Sequence, residues 1–111
     1  MSRKMKRLDF SVTVLLLREE NRWVAQCLEH DIAAQSDTIP GVKRAFAKAF
    51  VSQVAVNIRH GKKPLEDVPK APDFYLDLFK KGERLADRKL PKSVIPEVKV
   101  KVEAKEMRIA A

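Results

Sequence analysis

Cys27 and His30 stand three residues apart within the run Arg22-Trp23-Val24-Ala25-Gln26-Cys27-Leu28-Glu29-His30-Asp31. A thiol beside an imidazole is the raw material of a nucleophile–base pair. With Asp31 the two would also begin a metal site. Neither constellation is complete, because residues on a strand and its following turn need not face each other. A fourth ligand at standard spacing is missing, and His60 follows a helix end. A cysteine flanked by apolar residues serves equally as a small buried hydrophobe. No catalytic residue, cofactor site or metal site is therefore expected. Trp23 is either a binding anchor or a hairpin residue packed on Phe46 or Phe50. Lys43, Arg44 and Lys48 either touch phosphates or form the wet face of a helix.

The elements that position these residues follow from periodicity. Leu8, Phe10, Val12, Val14 and Leu16 alternate with Asp9, Ser11 and Thr13, joined later by Leu15 and Leu17. That is a strand with one apolar face and a second face that turns apolar only late, where a partner surface is expected. Arg18-Glu19-Glu20-Asn21 reads as a turn, with Asn21 suited to a left-handed conformation. Trp23 to Leu28 makes a second strand, Glu29-His30-Asp31 interrupts it, and Ile32 to Gln35 makes a short third.

Asp37 or Thr38 is a good N-cap for the long helix that follows, with Pro40 in its first turn. Gly41 reads as a weakness there, since Gly is ~1 kcal/mol worse than Ala in a helix. Val42, Ala45, Phe46, Ala49, Phe50, Val54 and Ile58 form one stripe, flanked by Val51 and Val56, and the helix ends at Gly61. Residues 62–72 hold three prolines and read as a connector. Asp73 to Arg84 predicts a second helix, with Phe74, Leu78 and Leu85 on one face and Tyr75 and Phe79 beside them. Leu90 to Pro96 is extended. Val98, Val100 and Val102 begin a final strand, and the phase change before Met107 and Ile109 predicts a bulge near Ala104.

The chain has 111 residues, enough for one modest core. Its longest apolar run, Val14 to Leu17, is far short of the ~20 residues a membrane-spanning helix needs. The N-terminus lacks the apolar segment of a signal peptide, and one cysteine forms no internal disulfide, so a cytoplasmic setting is expected. The net charge is +8, but residues 8–60 carry six acids and six Lys/Arg. The excess lies in a basic arm, residues 1–7, and in residues 61–111. Such basic ends meet nucleic acid or an acidic surface, or are simply solvated.

The order strand, strand, strand, helix, together with Arg22 to Asp31 and Gln35-Ser36-Asp37-Thr38, resembles the HicB-like antitoxin family. The resemblance covers residues 8–60, more loosely residues 64–79. It implies a truncated RNase H-like sheet with a helix packed on it, dimers or tetramers, and binding of a small HicA-like toxin that cleaves mRNA. Three features differ. Gly41 stands where the family often has a Glu completing a capping box. No helix-turn-helix follows the core, and Leu90-Pro91-Lys92-Ser93 leads to prolines and a Val tail rather than to two DNA-binding helices. The net basic charge opposes a basic toxin at long range. A fold similar to RNase H also raises two-metal cleavage by Asp9, Glu29, Asp31 and Asp37, for which several carboxylates must converge. The hairpin brings the start of the first strand near the end of the second, which pairs some of them at most.

These readings converge on an α+β protein with a small antiparallel sheet: a β-β-β-α core at 8–60, then a connector, short helix and strand at 61–111 completing the same domain. The expected function is non-enzymatic, antitoxin-type neutralisation of a small mRNA-cleaving toxin by a homo-oligomer. Trp23, Glu29, Asp31 and Asp37 are the expected contact residues. The alternatives are a nucleic-acid-binding regulator that uses the basic arms, or an orphan oligomeric domain with no toxin partner.

Overall fold

The alternation that begins at Leu8 produces a long strand, β1 (Lys6–Glu19), and a two-residue turn carries it into β2 (Arg22–Cys27). These elements come from a computed structural model that describes residues 6–92 and 98–110. The basic arm at 1–7 and the extended stretch through Pro96 therefore lie partly outside the described residues. In the turn it is Glu20, not Asn21, that takes the left-handed conformation, at φ 52°. β3 (Ala33–Ser36) pairs antiparallel with β2, and α1 (Ile39–Arg59) follows. After the connector come α2 (Asp73–Lys81), the two-residue β4 (Glu83–Arg84) and β5 (Val98–Ala110).

The protein is α+β, with five strands in the order β3-β2-β1-β5-β4. The sheet is mixed, which corrects the antiparallel expectation: β5 lies parallel to β1 from Lys6↔Val98 to Leu17↔Ala110. The reason is the crossover. The chain leaves the hairpin, passes through both helices and re-enters the sheet at the end where β1 starts, and a parallel pair requires such a long connection. The ladder slips between Val12↔Ala104 and Thr13↔Glu106, so Lys105 is the extra residue of a bulge, as the valine phase predicts.

Each face of the sheet has its own helix. The α1 face buries Val12, Val14, Leu16, Ala25, Cys27, Val102, Ala104 and Met107 against Val42, Phe46, Phe50, Val51 and Val54. Phe50 sits at the centre, its ring edge-on to Phe10 at 5.2 Å. On the other face Leu15 and Leu17 pack with Phe79 of α2, bordered by Val24, Leu28, Tyr75, Leu78 and Ala110. The late-apolar face of β1 thus meets a helix of its own chain.

Two local expectations change. Thr38 is the N-cap, its Oγ1 accepting from the Gly41 N–H at 3.0 Å. A Cβ on Gly41 would lie 2.4 Å from Ser36 Oγ and 2.8 Å from Thr38 Oγ1, so any side chain there requires those hydroxyls to move. The predicted second helix stops at Lys81 rather than Arg84, because Glu83 and Arg84 pair with Ile109 and Arg108 as an edge strand. Within α2, Phe79 is the anchor, and Phe74 points outward. Among the described residues no helix is long and apolar enough to cross a membrane.

Candidate functional site

The chemistry-bearing residues cluster where β2 ends. Odd-numbered residues of β1 turn their backbone groups toward β2, as the bond from Leu28 N–H to Thr13 O (3.0 Å) shows. The chain then leaves the ladder, and the Glu29 carboxylate takes over as partner. Its Oε1 accepts from the Thr13 N–H and its Oε2 from the Thr13 hydroxyl, both at 2.8 Å. Lys105, the bulge residue of β5, reaches across to Oε2 at 3.1 Å. Glu29 therefore ties three segments together. Burial alone would raise its pKa, but the Thr13 hydrogen bonds, its own backbone amide and Lys105 hold it below the usual carboxylate range.

Its neighbours are similarly occupied. Asp31 Oδ1 accepts from Gln26 Nε2 at 2.9 Å, and the same amide donates to Cys27 O at 3.0 Å. Cys27 is fully buried, with Sγ 3.7 Å from Glu29 Oε1. Burial pushes the thiol up to about 11, so at neutral pH it is a protonated, poorly nucleophilic group. The His30 ring packs edge-on to Phe50 at 6.2 Å, and burial lowers its pKa despite the nearby Glu29 charge. The connector closes over the turn through Asp31 N–H to Pro69 O (2.6 Å) and Ala71 N–H to Leu28 O (3.0 Å).

The four expected contact residues do not form one patch. Trp23 and Asp37 lie at the hairpin end, where Trp23 pairs with Ser36 across the strands and Arg22 Nε approaches Asp37 at 3.6 Å. Trp23 is half-buried against the α1 core, with the Arg18 guanidinium 5.3 Å over its ring. Glu29 and Asp31 lie beyond the other end of β2, ~17 Å away at strand spacing. Asp9 is remote from both, four residues below Thr13 on β1 and paired with Arg7 at 3.5 Å. Among the described residues no three acids, histidines or cysteines converge as metal ligands.

Several participants escape a reading of the sequence. Thr13, Gln26 and Lys105 look like ordinary polar positions until the register places them around Glu29 and Asp31. Asn57 is buried inside α1 and its Oδ1 accepts from the Leu65 N–H at 2.9 Å, fixing the connector. Its signal was a polar residue between Val54 and Ile58. The basic C-terminal half forms an open hollow of about 280 Å³ lined by Arg84, Leu85, Arg88, Lys105, Glu106 and Met107. Its cations have internal partners: Arg84 binds Glu106 at 2.8 Å, Arg88 donates to Lys105 O at 2.8 Å, and Lys105 binds Glu29. Among the described residues the exposed large apolar side chains are Phe74 (62%), Val56 (47%) and Leu76 (41%).

No protein-family model matches the chain, and neither a curated protein nor a solved structure is significantly similar to it.

Proposed function

We propose that this protein works by protein–protein contact rather than catalysis, as a HicB-like, antitoxin-type homo-oligomer that covers a small mRNA-cleaving toxin. The observation that carries contact is α2. Phe79 anchors the helix, while Phe74 and Leu76 stand 62% and 41% exposed. An aromatic side chain left this exposed on a packed helix suits a partner's pocket, whereas Leu76, two residues on, faces a different side of α2. The disposition of the reactive groups supports the same reading: Cys27 is buried and protonated, and Glu29 and Asp31 are engaged in holding the sheet. The toxin as partner rests on the resemblance of residues 22–38 to the HicB-like family. A hairpin, short third strand, Thr38 cap and amphipathic helix are what that resemblance implies.

The test is a mild pull-down of the tagged chain from its own host, followed by co-expression of whatever remains bound. A small basic protein in near-equal amount, whose growth arrest the chain relieves, is the expected result. Phe74→Asp should weaken that capture. Recovery of nucleic acid alone, released steeply by salt, would replace this reading with a regulator that uses the basic ends. Recovery of nothing but the chain itself would leave an orphan oligomer.

A further inference from the structure

The two halves of β1 have different numbers of neighbours. From Val14 to Leu17 the strand is paired on both sides, with β2 and with β5, and Arg18 and Glu19 pair with β2 alone. From Lys6 to Val12 it is paired with β5 alone. Along that stretch the odd residues, Arg7, Asp9 and Ser11, direct their backbone N–H and C=O groups to the β2 side, by the alternation that places Thr13 O on Leu28 N–H. Among the described residues no strand occupies that side. The row of unpaired groups is a template for another strand.

We infer that this edge, Lys6 to Phe10, pairs antiparallel with the same edge of a second copy of the chain, on a two-fold axis through Leu8. The inference deepens the homo-oligomer part of the proposed function and rests on it. The occupant follows from charge. The edge carries Arg7 and Asp9 two residues apart on one face, both exposed. A register centred on Leu8 sets Arg7 opposite Asp9 of the copy, twice by symmetry. Those two pairs are also the ones whose backbone groups face outward, so each exchanges its N–H···O bonds. Leu8 meets Leu8 of the copy on the α1 face, extending the apolar surface that Leu8 and Phe10 already share with the core. A closed two-fold contact of this kind is self-complementary and consumes the edge.

The other edges fit less well. β3 is four residues long and uncharged, so nothing sets its register. The outer side of β5 is partly covered, since Leu85 N–H bonds Met107 O at 2.8 Å and Arg88 reaches Lys105 O. The overlap at β1 is short, so the dimer should depend on concentration.

Sedimentation velocity of the full chain over a concentration series tests this, using a charge swap. The wild type should approach twice the 12.7 kDa monomer mass. Arg7→Asp alone and Asp9→Arg alone should each stay monomeric, because like charges then oppose in both pairs. An equimolar mixture of the two variants should recover the dimer, since each faces its complement. Circular dichroism identical to wild type shows that each variant is folded. As a second probe, Asp9→Pro removes an outward N–H without touching the β5 ladder, and should also give monomer. A wild type that is monomeric throughout overturns the oligomer and this edge together. A wild-type oligomer that persists unchanged in all three variants overturns this edge alone and points to β3.

Discussion

The two faces of this sheet are built to different depths. The α1 face buries a continuous layer from β5 to β3 under a 21-residue helix. The α2 face buries little beyond Leu15, Leu17 and Phe79 under a nine-residue helix, with polar Asp9, Ser11 and Lys101 left open at the far end of the strands. The same strand, β1, supplies both. One face therefore holds the fold together, while the other is thin and leaves part of β1 and one side of α2 exposed.

The largest expected effect comes from breaking that asymmetry at its centres. Phe50→Ala leaves a cavity beneath Phe10, Phe46 and His30 and should cost ~4 kcal/mol, enough to abolish a cooperative urea transition in a domain this small. Phe79→Ala should cost about 3 kcal/mol at most, since fewer apolar neighbours surround it. Arg108 also loses the ring that its guanidinium covers at 4.7 Å. Hydrogen exchange separates the two: Phe79→Ala should expose the α2 amides while β1 and α1 stay protected. Equal loss in both regions would show one undivided core.

A middle effect is expected at Glu29, which stands where β1, the β2 turn and β5 meet. Glu29→Gln keeps the shape but loses the charge that faces Lys105 and one of the two acceptors for Thr13, at a cost of ~1–2 kcal/mol. The sign with pH follows from its lowered pKa. The folded carboxyl gives up its proton more readily than the unfolded one, so its contribution is present above the ordinary carboxylate pKa and is lost as pH falls through the lower folded value. Urea midpoints of wild type and Glu29→Gln should therefore differ at neutral pH and converge in acid. A constant gap would assign the effect to packing alone.

The smallest effect sharpens the contrast between local preference and context. Helix propensity favours Gly41→Ala by about 1 kcal/mol. The Ser36 and Thr38 hydroxyls crowd the position where the new methyl would sit, so the variant should instead lower the melting temperature. A rise would mean that the cap shifts at no cost.

Much of the fold was legible along the chain. The alternation of β1, the stripe Val42, Phe46, Phe50, Val54, the Thr38 cap, the Gly61 stop and the bulge beside Ala104 are all set by residues within a few positions of one another. Of the candidate site, the turn Glu29-His30-Asp31 was visible as an interruption, but its purpose was not. Glu29 looked like one of several acids at a sheet end, because its partner Thr13 is 16 residues away and Lys105 lies on another strand. Asp37 looked like part of the same acidic group, yet β2 places it at the opposite end.

The sequence by itself determined the first three strands, the long helix with its buried stripe and cap, and the final strand with its bulge, since periodicity and capping are local properties of backbone geometry. Only the tertiary structure decided that β5 runs parallel to β1, that α2 covers the second face, that the Ser36 and Thr38 hydroxyls crowd Gly41 and that Glu29 serves as a rung of the sheet. Those outcomes depend on which distant backbone groups are left unpaired once the sheet is assembled.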